Sequence, residues 1–186
     1  MTAVPPSRLQ EIYGQGDDPW AFRTSDYEQG KFRATVAALA KPRYDSALEV
    51  GCGNGELARH LAPRCGRFIG VDAVETALNA ARRAVPSGRF FQGYLPCPLP
   101  EGPHELIVLS EILYFLDAAG LRSLAAQIAE RWPGAEVLSV NWLGRSGNPL
   151  EGLEALGIFQ DAMEPAFRPQ MVLQTEQYRI DRFTAA

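Results

Sequence analysis

Apolar residues fall along the chain in short unbroken runs, separated by stretches in which they recur every three or four positions. This is the pattern of buried strands alternating with helices that pack one face on them. The runs are Ala47-Leu48-Glu49-Val50, Phe68-Ile69-Gly70-Val71-Asp72, Arg89-Phe90-Phe91-Gln92, Glu105-Leu106-Ile107-Val108-Leu109-Ser110 and Glu136-Val137-Leu138-Ser139-Val140. Between them, Val74, Ala77, Leu78, Ala81 and Val85 predict a helix over 74–84, and Leu121, Leu124, Ala125, Ile128 and Ala129 predict another that stops at Trp132-Pro133-Gly134. Phe32, Thr35, Val36 and Leu39 mark an earlier helix ending at Lys41-Pro42, because proline cannot continue it. Beyond residue 149, Leu150, Leu153, Leu156 and Phe159 suggest a short helix, and 170–173 with 178–183 read as a closing hairpin. Residues 1–16, with Pro5, Pro6, Gly14 and Gly16, read as a mobile lead-in of at most one helical turn that carries no chemistry. The expected architecture is α/β, one domain over 1–186, with 1–26 as a lead-in able to act as a lid.

The first run ends in Glu49-Val50-Gly51-Cys52-Gly53-Asn54-Gly55-Glu56, a strand that breaks into glycines and re-forms as a helix from about Asn54. Helix N-termini carry free N–H groups and partial positive charge, and glycines let a ligand approach bare backbone. A dinucleotide fingerprint, Gly-x-Gly-x-x-Gly, would need glycine at position 56; Glu56 stands there and would repel a pyrophosphate. The second run ends in Asp72, one helix and a return loop later, as a βαβ unit requires. A carboxylate at that strand end can accept both hydroxyls of a ribose or cap the next helix.

Composition narrows the class. The chain has 186 residues, 46% hydrophobic, enough for one substantial core. Cys52, Cys65 and Cys97 lie far apart with only His60 and His104 to join them, which disfavours disulfides or zinc and suits a reducing cytoplasm. Met1 opens neither a signal peptide nor a membrane span. A net charge of -4 leaves no footprint for nucleic acid.

Gly-x-Gly-x-Gly preceded by an acid resembles the first motif of class I S-adenosylmethionine-dependent methyltransferases. With Asp18-Pro19-Trp20, Tyr27-Glu28 and Leu106 to Leu116, the chain resembles those of the NodS type, over about residues 17–140. That type takes its name from a rhizobial enzyme that N-methylates a deacetylated chitooligosaccharide. The resemblance implies a Rossmann-like, doubly wound, seven-stranded, mainly parallel sheet with an antiparallel C-terminal hairpin. It also implies S-adenosylmethionine as cofactor, S-adenosylhomocysteine as product, and no metal. The implied cofactor residues are Trp20, Tyr27, Glu49, Gly51, Cys52, Gly53, Gly55, Asp72, Ala73, Tyr94, Leu95, Ser110 and Glu111. Family members place an acid for the adenine amino group in a Gly-Asp-Leu-Pro-like turn. This chain reads Gly93-Tyr94-Leu95-Pro96, so Tyr94 departs from the pattern.

The fourth run is the strongest and should be the central strand. Ligands in open α/β sheets bind beyond the carboxyl ends of strands, where Ser110, Glu111 and Tyr114 fall, with Asn141 and Trp142 after the fifth. Glu111, Tyr114 and Asn141 are the candidate catalytic residues. A sulfonium methyl is already activated, so the protein chiefly aligns an acceptor and excludes water. Glu111 could orient an amine or take its proton, or cap a helix. Neither histidine stands at a strand end on that side, which disfavours a hydroxyl acceptor activated by histidine. No Asn-Pro-Pro-Tyr-type motif follows the fourth run, against methylation of nucleic-acid bases. The expectation is methyl transfer to a small polar acceptor, an amine such as an amino sugar. The alternatives are an O-methyltransferase, a nicotinamide-dependent oxidoreductase and a cofactor-binding protein without catalysis. Trp20 and Phe22 read either as a staple or as part of a lid.

Overall fold

A computed structural model describes residues 3–164 and 166–186; Met1 and Thr2, at the head of the lead-in, and Pro165 lie outside it. The strands are β1 (Tyr44–Val50), β2 (Cys65–Asp72), β3 (Arg89–Gln92), β4 (Leu106–Ser110), β5 (Glu136–Trp142), β6 (Phe167–Gln174) and β7 (Tyr178–Ala185). The helices are α1 (Pro6–Ile12), α2 (Asp26–Ala37), α3 (Glu56–Leu61), α4 (Glu75–Ala84), α5 (Ala118–Arg131) and α6 (Gly152–Met163). One seven-stranded sheet runs in the order β3-β2-β1-β4-β5-β7-β6. β1 to β5 pair in parallel, and β7 is antiparallel to both β5 and β6. This is the Rossmann-like sheet with an antiparallel C-terminal hairpin that the resemblance implied.

The central strands are buried on both faces, so they carry no polar alternation: Leu106, Ile107, Val108 and Leu109 are all inaccessible to solvent. One face packs Leu48, Val50, Ile107 and Leu109 against Leu121, Leu124 and Ile128 of α5 and Phe159 of α6. The other packs Ala47, Leu106, Val108 and Leu138 against Phe32 of α2, Leu57 and Leu61 of α3, and Leu78 and Ala81 of α4. Strand order reverses between β1 and β4, and the crevice such a reversal opens at the carboxyl ends is where the site forms.

The lead-in differs from expectation. It holds α1, and Tyr13 is buried against Val74 and Ala77. The Val4 N–H donates to the Phe115 carbonyl at 2.9 Å and the Val4 carbonyl accepts from the Tyr94 hydroxyl at 2.8 Å, so the segment is strapped across the loops after β3 and β4. Asp18 organises the next turn by accepting the N–H groups of Phe22 and Arg23 at 2.8 and 3.1 Å.

Candidate functional site

A cavity of about 670 Å³ opens at the carboxyl ends of the central parallel strands, with the N-terminal segment as its far wall. That volume lies within the roughly 300–1,000 Å³ usual for small-molecule sites. Val4, Arg8, Leu9, Ile12 and Tyr13 all line it, so the lead-in is a wall of the site.

The glycine loop builds the floor in an unexpected way. The N–H groups of Gly51 and Cys52 both donate to the Val71 carbonyl, at 2.8 and 3.0 Å, and that of Gly55 donates to the Cys52 carbonyl at 3.0 Å. The Gly53 N–H donates to Asp72 Oδ2 at 2.9 Å, and the Glu56 N–H to Asn54 Oδ1 at 3.3 Å. These five donors are therefore spent within the protein; the Asn54 N–H is not among them. Glu49, a fully buried cavity-lining side chain, has an Oε2 without a hydrogen-bond partner, and burial, with Asp72 nearby, holds its carboxyl well above the usual range. An orphaned buried carboxylate is costly unless a ligand satisfies it.

Gly51 and Gly53 line the cavity, both at positive φ; Gly55 does not. At φ +81°, Gly55 precedes α3, and a β-carbon there would lie 2.7 Å from Ala81 Cα. It lets α3 pack on α4, and it is not among the residues that line the cavity. The helix also starts at Glu56 rather than Asn54. The Asn54 side chain turns back to donate to Asp18 Oδ1 at 3.0 Å, tying the loop to the N-terminal segment.

Asp72, at the end of β2, holds both neighbours of the crevice. Besides the Gly53 N–H, it accepts the Val74 N–H at 3.0 Å. Burial raises its carboxyl, and these backbone donors oppose the shift. Ala73, Tyr94 and Leu95 complete this end, with Tyr94 anchored to Val4 through its hydroxyl. Cys52 lines the same end as a buried thiol pushed well up by desolvation. Tyr13, Trp20, Phe22 and Phe32 form a run of aromatic contacts with centroids 5.4–5.8 Å apart, all at the cavity wall. Trp20 and Phe22 thus staple the segment and wall the site together.

The opposite end is polar and aromatic. Ser110 at the end of β4, with Glu111 and Tyr114 after it, lines this end together with Tyr27 and Glu28 of α2 and Trp142 of β5. The Tyr27 ring lies edge-on to Trp142 and Tyr178, 6.2 Å from each, and its buried hydroxyl lacks a hydrogen-bond partner. Glu111 has φ 55°, a conformation uncommon outside glycine, and its N–H donates to the Val140 carbonyl at 2.7 Å. Its carboxylate is not satisfied as a helix cap: Oε2 accepts from Lys31 Nζ. Lys31 Nζ also lies 2.8 Å from Glu28 Oε2 and 5.3 Å from the centre of the Tyr27 ring. Burial raises the Glu111 carboxyl, and the Lys31 ammonium pulls it back down.

Asn141 is not brought to the cavity. Strand β5 runs on to Trp142, and successive side chains point to opposite faces. Trp142 reaches the cavity, while Asn141 is buried within the sheet and donates to Ser139 Oγ at 2.8 Å. Sequence reasoning also passed over Tyr13 and Lys31. The signal for Lys31 was its spacing, three and four residues after Glu28 and Tyr27 and four before the buried Thr35, on the inward stripe of α2. Neither histidine lines the cavity. His60 pairs with Gln29 at 3.1 Å, and His104 meets the Pro100 carbonyl at 3.2 Å. Among the described residues, no group of three or more His, Cys, Asp or Glu side chains could hold a metal ion, and no helix is long and apolar enough to cross a membrane.

Comparison with known proteins points the same way. The family model for nodulation protein S (NodS) matches residues 8–130. Nodulation protein S of Bradyrhizobium diazoefficiens is 32% identical over 125 residues, 61% of this chain and 58% of that protein. The chain spans about half the length of the curated relatives it matches. The N-methyltransferase NodS from Bradyrhizobium japonicum WM9, solved in complex with S-adenosylhomocysteine, superposes with a TM-score of 0.81 over 97% of this chain and 98% of that one, at 19% identity. A crystal structure described as a putative methyltransferase from Pseudomonas syringae gives a TM-score of 0.73 at 30% identity, over 85% of this chain and 98% of that one.

Proposed function

The chain belongs to the nodulation protein S (NodS) family, and on that premise we propose that it is an S-adenosylmethionine-dependent methyltransferase acting on a small polar amine, of which an amino sugar is the model. The observation that carries this reading is the floor of the cavity. Five N–H groups of the loop, those of Gly51, Cys52, Gly53, Gly55 and Glu56, are paired within the protein, and Glu49, which lines the cavity, keeps a buried carboxyl oxygen without a partner. A cationic group, as the methionine end of the cofactor provides, would favour the ionised form of Glu49 and satisfy its orphaned oxygen, whereas the pyrophosphate of a nicotinamide dinucleotide would do neither.

When bound, the cofactor supplies a methyl group already activated on a sulfonium. This chain's residues do the rest. Asp72 stands at the ribose position expected from strand order, Trp20 and Tyr13 close the apolar wall, and Glu49 faces the cationic end. At the far end, Glu28 and Glu111 provide carboxylates that hold an ammonium and take its proton, within the aromatic walls of Tyr27, Tyr114 and Trp142. A hydroxyl acceptor is the second reading; it would need a stronger base, and no histidine lines the cavity.

Incubation with methyl-labelled S-adenosylmethionine and a panel of glucosamine, chitosan oligomers, catechol and small carboxylic acids tests the acceptor class. Label should enter the amines. Transfer confined to catechol or the acids would overturn the amine reading.

A further inference from the structure

We infer that Lys31 is a positioning residue which, from behind the cavity wall, clamps Glu28 and Glu111 as a pair of carboxylates presented to the acceptor. The inference rests on the amine reading above and adds a residue that no strand-end motif points to.

Lys31 is 2% exposed, while Glu28 and Glu111 both line the cavity in front of it. Its Nζ donates to Glu111 Oε2 and lies 2.8 Å from Glu28 Oε2, an ion pair by distance without hydrogen-bond geometry, which leaves Oε1 of each acid outside the ion pairs. The two acids come from different elements, α2 and the turn after β4, and one cation brings them together. Every other charged or titratable group influencing Glu111 has the opposite effect or none that helps it ionise: Glu28 opposes the negative charge, and Tyr27 and Tyr114 flank it as buried phenols held above their ordinary range. Without Lys31, Glu28 and Glu111 would face each other in a desolvated pocket with no cation between them, and the Glu111 carboxyl would hold its proton to higher pH. A protonated acid neither attracts an ammonium nor accepts its proton.

Geometry also sets the acceptor chemistry. Two carboxylates and one fixed lysine leave one net negative charge beside three aromatic rings. This suits an acceptor that brings one positive charge and at least two N–H donors, which an ammonium does and a hydroxyl does not. One carboxylate can take the proton while the other continues to hold the nitrogen. The strained φ of Glu111 fits the same account, since a residue held in a sparsely populated conformation needs surroundings that over-determine it.

The test is carbon-13 NMR of protein labelled at the glutamate carboxyl carbons and saturated with S-adenosylhomocysteine, with Glu28→Gln and Glu111→Gln used for assignment. In Lys31→Met the Glu111 carboxyl should titrate at least about one pH unit higher than in the wild type, and in Lys31→Arg within about half a unit of it. If Lys31→Met alone does not fold, Lys31→Met with Glu28→Gln removes one charge of each sign, and the Glu111 midpoint should still rise. Transfer to glucosamine by Lys31→Met should be at least about tenfold slower at neutral pH and recover at alkaline pH, while Lys31→Arg stays near the wild type. An unshifted Glu111 midpoint in folded Lys31→Met overturns the clamp, whatever the acceptor. A shifted midpoint in an enzyme that methylates none of the amines would keep the clamp and sink the amine reading.

Discussion

Substituting Gly55 by alanine separates what the glycine loop does for the fold from what it does for the ligand. Gly55 has φ +81°, and an alanine there pays about 1–2 kcal/mol for the left-handed backbone. Its methyl group would stand 2.7 Å from Ala81 Cα and 2.9 Å from Ala81 Cβ, closer than packed carbons approach. The obstacle is backbone on a neighbouring helix, so α3 and α4 must separate, and overpacking of this kind costs roughly 1–3 kcal/mol. The sum is about 2–5 kcal/mol, or roughly 4–20 °C in melting temperature for a domain of this size. Gly53→Ala meets a milder obstacle, the Tyr13 hydroxyl at 3.2 Å, so its stability cost is the backbone share alone, about 1–2 kcal/mol. Urea unfolding of both variants, with calorimetric titration of S-adenosylhomocysteine on the folded fraction, provides the assay. Gly55→Ala should lose more stability and keep its affinity, whereas Gly53→Ala should lose affinity. The reasoning fails if Gly55→Ala unfolds at the wild-type urea midpoint, or if Gly53→Ala proves the less stable of the two.

Three further outcomes follow from the site. Asp72→Ala removes the acceptor of the Gly53 and Val74 N–H groups, so it should lower stability by about 1.5–3 kcal/mol and weaken the cofactor as well; unchanged affinity would reduce Asp72 to a capping residue. Glu49 in the fold releases its proton at a pH well above the usual glutamate range, so the unfolded chain releases it first and stability falls as pH rises through that interval; Glu49→Gln should flatten that fall in urea titrations of the ligand-free protein while weakening S-adenosylmethionine. Deleting residues 1–22 removes the Tyr13 and Trp20 wall and the bond from Asn54 to Asp18; helical and sheet content should persist by circular dichroism while S-adenosylhomocysteine affinity falls at least about tenfold, roughly 1.4 kcal/mol.

The parallel half of the sheet was legible because strands buried on both faces are spelled as continuous apolar runs, and Arg89–Gln92 has the limits its residues suggested. The crevice followed from strand order. What was not legible depended on one residue more or less of regular structure. Ending β5 at Val140 would have freed Asn141 toward the cavity; two more residues of strand pointed it inward and sent Trp142 out in its place. Lys31 was hidden by its type, since a lysine on a helix reads as solvated unless a partner from elsewhere reaches it, and Glu111 lies 80 residues away. Tyr13 belongs to a segment whose composition reads as a tail, and the straps at Val4 and Asp18, with its packing on Val74, Ala77 and Trp20, give it a fixed place.

The central claim is that the glycine loop of this chain accepts a cationic methionine end and refuses a pyrophosphate. Calorimetric titration of the purified protein with S-adenosylmethionine, S-adenosylhomocysteine and NAD under one buffer measures it directly. Both sulfur compounds should bind at one site per chain, lose affinity in Glu49→Gln, and compete with each other, while NAD gives no saturable heat. Saturable binding of NAD, or sulfur-compound affinity untouched by Glu49→Gln, would contradict the account.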